Sequence, residues 1–187
     1  MINLNVRFVV VVWLLSLMFI SFPVVAQGAS PKTKEDCLDL LNHQTAALVT
    51  RDWIKLERLA KRYIKTCKGV LKPDTFSEGY RSLAIATYEL DQTMASLSAS
   101  EKCIEVFYAN SGCHVLKVLA LLKLGRMSDA RAVLDITERL IFHLLENTDQ
   151  ELRRATHPAD KKLYSSQQSE LNSQKKLVDT LRSTYFR

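Results

Sequence analysis

The sequence predicts an all-α fold of antiparallel helix pairs, and three observations carry that expectation. After residue 33, apolar residues recur at intervals of three and four over most of the chain, the period of one face of an α-helix. No stretch alternates apolar and polar side chains for long enough to make a half-buried strand. Pro23, Pro31, Pro73 and Pro158 all fall where a helix has to begin or end, as they must, since a proline inside a helix removes a hydrogen bond and clashes with the preceding turn.

Arg7 is the only charged side chain before Lys32, and it is followed by an apolar run over residues 8–20 that only Ser16 interrupts. Pro23 follows, with Val24 and Ala26 as small residues at the minus-three and minus-one positions of a cleavage site. This layout predicts a secretory signal peptide over 1–26, with Gln27 as the mature start. Left uncleaved, the 19 uncharged residues over 8–26 are enough to cross a bilayer and would anchor the chain in a membrane. No cysteine lies near the cleavage region, so no lipoprotein anchor is expected.

A linker over 27–34 leads into the first helix, where Thr33 and Asp36 have the spacing of a capping box, with Asp in place of the usual Glu. Leu38, Leu41, Thr45, Leu48 and Val49 follow as its stripe. After Arg51 and Asp52 a second stripe runs through Trp53, Leu56, Leu59, Ala60, Tyr63, Ile64 and Cys67, closed by Gly69. The second pair has Phe76, Tyr80, Leu83, Ala84, Thr87 and Leu90, a turn at Asp91, then Met94, Leu97, Ile104, Phe107 and Tyr108. A third pair spans 115–124 and 130–145, hinged at Gly125, and its first segment is apolar on nearly all sides except Lys117 and Lys123. Such a helix is covered on several faces. Residues 159–185 form one more helix with a narrow stripe of Leu163, Leu171, Val178, Leu181 and Tyr185. The expected division is therefore a helical domain over 35–157 and a C-terminal helix over 158–187.

The string from Leu122 to Ala130, with Gly125 at the turn and Ala130 at the start of the following helix, resembles the turn of a tetratricopeptide repeat. Stepping back by that family's period of 34 residues sets Leu90, Asp91 and Ser96 opposite Leu124, Gly125 and Ala130, and puts Ala84 at the small position of the family's first helix. Val118 occupies that position in the third pair, and the first pair has Leu56 in place of a small residue, with about six extra residues before the second pair. The resemblance implies two or three stacked repeats over about 37–144, with the C-terminal helix capping the exposed apolar face of the last.

Four cysteines in an exported chain imply two disulfides and allow three connectivities. In an antiparallel pair the start of the first helix and the end of the second lie at the same end, which joins Cys37 to Cys67. Cys103 falls late in one helix and Cys113 early in the next, across one connector, and these form the second pair. The spacing of Cys103, Cys113 and His114 matches no zinc site, and no metal or cofactor is expected.

The function classes that can be excluded are those with sequence signatures. With 5 Gly in 187 residues, the chain holds no Gly-rich phosphate loop, and no HExxH, CxxC, GxSxG or EF-hand string is present. His43, His114, His143 and His157 are scattered without partner spacing, so the chain reads as a binding protein and not an enzyme. A hydrolase whose triad converges only in space is the third class that stays open. Removal of residues 1–26 takes one base, Arg7, from the 26 and none of the 20 acids, leaving a net charge of +5. Such a mild excess in an exported chain argues against a nucleic-acid partner. What the repeat resemblance implies is a concave surface that binds a protein or peptide, with Glu78, Arg81, Tyr88 and Glu89 from the second pair and Lys123 from the third as candidate groove residues. Arg81, Tyr88 and Lys123 would grip an acidic segment or a carboxylate. The alternative binding role is an inhibitor or immunity-type protein directed at one periplasmic enzyme.

Overall fold

The computed structural model describes residues 33–186, so the expected signal peptide, its cleavage site and the linker ahead of Thr33 lie outside the described residues. Among the described residues, seven helices follow one another: α1 (Lys34–Val49), α2 (Trp53–Thr66), α3 (Pro73–Glu89), α4 (Thr93–Val106), α5 (Ser111–Lys123), α6 (Met127–Arg154) and α7 (Pro158–Tyr185). No strand occurs among the described residues, and the all-α expectation holds. The chain divides into two units, the first ending at Cys113 and the second spanning His114–Arg187. The division falls inside α5.

In the first unit α1 packs on α2, α2 on α3 and α3 on α4, with α1 also touching α3. The expected capping box opens α1: Asp36 N–H donates to Thr33 Oγ1 and Thr33 N–H to Asp36 Oδ2, each at 3.1 Å. Cys37, Leu40, Tyr63, Cys67 and Phe76 form one buried cluster, flanked by Leu41, Leu59, Ile64, Leu71, Tyr80 and Val106. Tyr63 stacks on Phe76 with centroids 6.0 Å apart, and its hydroxyl donates to Thr75 O at 2.9 Å. Burial pushes the Tyr63 phenol pKa well up, and the charge of Glu78 adds to the shift.

Both disulfides form the expected pairs, Cys37 with Cys67 and Cys103 with Cys113, with Cα atoms 5.7 and 6.1 Å apart. All four cysteines are fully buried. Such cross-links belong to an oxidising environment. Among the described residues, no helix is long and apolar enough to cross a membrane.

Two faces differ from the sequence expectation. In α1 the buried residues are Cys37, Leu40, Gln44 and Ala47, one position away from the predicted stripe, and Leu38 and Val49 point outward. The disulfide turns the Cys37 face toward α2. In α4 the inward face is Ser96, Leu97, Ala99, Ser100 and Cys103, while Met94 is exposed. Small side chains let α4 lie close on α3, and Ser96 Oγ donates to Ala84 O at 2.8 Å. The helix ends at Val106, because Phe107 leaves it in an extended conformation (φ −148°), and Tyr108 is exposed beyond it.

Three turns share one backbone pattern. Arg51 (φ 55°), Asp91 (φ 60°) and Gly125 (φ 72°) are left-handed, and the residue after each donates to the carbonyl five positions back: Asp52 to Ala47, Gln92 to Thr87, Arg126 to Leu121. This is the Schellman closure of a helix end. The turns are 40 and then 34 residues apart, and the next helix starts two residues after each, at Trp53, Thr93 and Met127. Seven residues ahead of each turn stand Gln44, Ala84 and Val118, and five after it Leu56, Ser96 and Ala130, all buried. The hairpins thus keep one register although only one has glycine at the turn. Because L-residues strain in this conformation, Arg51→Gly is expected to stabilise by about 0.5–1 kcal/mol and Gly125→Ala to destabilise by about 1 kcal/mol. Thermal melts of the two variants check the opposite signs.

Gln44 carries a cost at its position. Its side chain is 1% exposed, and among the described residues neither Oε1 nor Nε2 has a hydrogen-bond partner. Desolvating an unpaired polar group costs about 1–3 kcal/mol, so Gln44→Met, which keeps the length and removes the amide, is expected to stabilise by about 1–2 kcal/mol in urea unfolding. A loss of stability would show that the amide has a partner.

In the second unit the remainder of α5 is buried around its circumference at Val115, Leu116, Val118, Leu119, Ala120 and Leu121, as its apolar composition predicts. α6 continues well past the expected stop at residue 145, to Arg154. It pairs with α7, which returns antiparallel after residues 155–157. His157 caps α7, its Nδ1 accepting from Ala159 N–H at 3.3 Å. The buried face of α7 is Leu171, Gln174, Leu177, Val178 and Leu181; Leu163, expected in the stripe, is 53% exposed.

Candidate functional site

Pro73 starts α3, where its missing N–H costs nothing, and one turn further in the helix presents Glu78 and Arg81 three residues apart. They pair with each other, Arg81 Nη1 to Glu78 Oε2 at 3.2 Å. The second oxygen of Glu78 accepts from Asn110 Nδ2 at 2.9 Å, and the same nitrogen donates to Ser77 Oγ at 3.0 Å. The guanidinium also lies against the backbone at Gly112, where a Cβ would stand 2.7 Å from Arg81 Nε. Cys103 Sγ sits 3.4 Å from Ser77 O. These groups therefore tie α3 to the connector that the Cys103–Cys113 bond closes. The Arg81 side chain is only 16% exposed.

Of the five groove residues expected from the repeat resemblance, the structure brings Glu78 and Arg81 together, in a cluster that binds itself. Tyr88 and Glu89, half-buried at the end of α3, are seven and eight residues beyond Arg81, about 10 Å further along the axis. Lys123 is the exposed last residue of α5, in the second unit. Asn110 was not anticipated by sequence reasoning. Its signal was a short polar residue ahead of Ser111 and Gly112 at a helix start, a position where Asn side chains bond the local chain.

A groove of about 400 Å³ runs between α6 and α7, with Ile141, Phe142, Leu145 and Val178 as its apolar lining and Glu138, Arg139, His143, Lys175 and Asp179 around it. No periodicity argument reaches it, because it depends on how two helices align across 36 residues of chain. Arg182 fixes that alignment. Its Nη2 donates to Glu138 Oε2 at 2.8 Å, and its Nε and Nη2 also bond Glu138 Oε1 and Asp135 Oδ1. The hydrogen bonds that Arg182 donates to Glu138 and Asp135 raise its pKa. The Arg182 side chain is one-third exposed, and screening limits its contribution. Arg182→Met is expected to destabilise by about 1 kcal/mol, and the difference should shrink in 1 M salt; melts at low and high salt check both.

Among the described residues, no group of three His, Cys, Asp or Glu side chains could hold a metal ion. No family model matches the chain, and neither a curated protein nor a solved structure matches it.

Proposed function

We propose that this chain is an exported helical-repeat module, periplasmic or secreted, that binds a protein or peptide partner. The observation that carries the reading is the common register of the three hairpins, with left-handed turns at Arg51, Asp91 and Gly125 and the next helix beginning two residues on each time. Repeated hairpins are the building principle of solenoid arrays, tetratricopeptide repeats among them, whose stacked helices offer extended binding surfaces. The spacing of 34 between the second and third turns equals that family's period. Export is supported by the signal layout over 1–26 and by the two buried disulfides.

Pull-down with the exported chain from envelope extract tests the reading. Several envelope proteins recovered would support a scaffold, and one tightly held enzyme would point to an inhibitor. Turnover of an envelope substrate with no protein partner recovered would overturn both. Amino-terminal sequencing of the exported protein is expected to begin at Gln27, and retention of Met1 in a membrane fraction would replace export with anchoring.

A further inference from the structure

We propose that the groove between α6 and α7 is a docking site for a short acidic and apolar peptide segment of a partner protein, an inference that rests on the interaction-module reading and gives it a location. Phe142 stands at the groove 57% exposed, while Ile141 beside it is 1% exposed. Its ring meets His143 edge-on with centroids 5.9 Å apart. An aromatic ring held in this way beside an apolar floor is the usual form of an anchor contact in an interface.

The charges around the floor select the chemistry of the occupant. Glu138 is engaged by Arg182, and Lys175 and Asp179 neutralise each other at 2.8 Å. Arg139 has no hydrogen-bond or ion-pair partner among the described residues, and it lies three residues before Phe142, on the same side of α6. The groove thus offers a ligand one uncommitted guanidinium next to an apolar surface. A guanidinium matches a carboxylate with two parallel hydrogen bonds. The complement is an aliphatic or aromatic side chain with an acidic group close by. From Glu138 to Leu145 the groove extends about 10 Å along α6, the length of roughly three residues of extended chain. A contact this small makes a weak, exchanging complex, suited to a short segment and not to a whole domain face.

The test uses the exported, disulfide-bonded chain and two synthetic probes, a hexapeptide alternating Asp with Leu and its counterpart alternating Lys with Leu. Addition of the Asp/Leu peptide is expected to shift the amide NMR signals of residues 138–145 and 175–179. Arg139→Gln and Phe142→Ala are each expected to weaken that binding at least tenfold, and Arg139→Glu to reverse the preference toward the Lys/Leu peptide. Both side chains are exposed, so unchanged circular dichroism should confirm that the variants fold. Equal binding of the two peptides, shifts confined to other residues, no binding, or full affinity in both variants would each overturn the proposal. Failure of the groove is separable from failure of the interaction reading: a partner from envelope extract that is still captured by the Arg139→Gln, Phe142→Ala double variant overturns the groove and leaves that reading standing.

Discussion

Gly79→Ala is expected to lower the stability of the first unit by about 2–3 kcal/mol, with a fall in Tm of roughly 10 °C. On an isolated helix the same change would help by about 1 kcal/mol, because Ala is the best helix former and Gly among the worst. Packing reverses the sign. Gly79 is a buried residue of α3, and a Cβ there would stand 2.7 Å from Tyr63 Cε1, closer still to Cδ1, and 3.3 Å from Ile64 Cγ1. The ring cannot move aside easily: it is fully buried, stacked on Phe76 and tethered through its hydroxyl to Thr75 O. Tyr63→Leu costs stability by itself, but in that background the extra methyl should be tolerated, giving a favourable coupling of about 1–2 kcal/mol in a double-mutant cycle. Urea unfolding of the four proteins decides it. A neutral or stabilising Gly79→Ala would mean that α2 and α3 are not held this closely.

The second large effect is removal of the Cys37–Cys67 bond. Its loop spans 30 residues against 10 for Cys103–Cys113, and restriction of the unfolded chain gives about 3.6 and about 2.7 kcal/mol respectively. The environment widens that gap. Cys37 and Cys67 belong to the apolar core with Leu40, Tyr63 and Phe76, where two serine hydroxyls replace apolar sulfur. Cys103 has Ser77 O within reach, an acceptor for a serine placed there. The Cys37→Ser, Cys67→Ser protein is therefore expected to unfold at the lower urea concentration of the two double variants, and coincident midpoints would contradict the ordering.

How much of this was readable before the structure depended on what each face is made of. The α2 face was legible because Leu56, Ala60, Tyr63 and the C-cap Cys67, all buried, lie on one helical stripe. In α1 the leucines at 38, 41 and 48 satisfy the same period as the buried set, and the buried set includes Gln44, which no hydrophobicity argument turns inward. The α4 face was obscured for a related reason: Ser96, Ala99 and Ser100 are buried because they are small, while the bulkier Met94 is left outside. The disulfide pairs were legible because they follow from the hairpin topology alone. The Glu78–Arg81 spacing was visible, but Asn110 and Gly112, which close that cluster, come from another connector. The α6/α7 groove depends on the alignment that Arg182 sets, and alignment between distant segments is not written in either one.

The hairpin of α6 and α7 buries its side chains unevenly along its length. After Ile141, α6 contributes only Thr148 to the buried set, and α7 contributes nothing before Leu171. Around the connection at 155–157 the two helices are held mainly by their own hydrogen bonds and by surface ion pairs such as Arg153 with Asp149 and Arg154 with Glu151, contacts worth a few tenths of a kcal/mol each. Opening of that end exposes little apolar surface, so it can unravel and reform while the clasped end stays folded. The hairpin is then a structure of graded cooperativity, firm at Arg182 and yielding at His157, and a protease that needs an extended substrate would find its first cut near the connection.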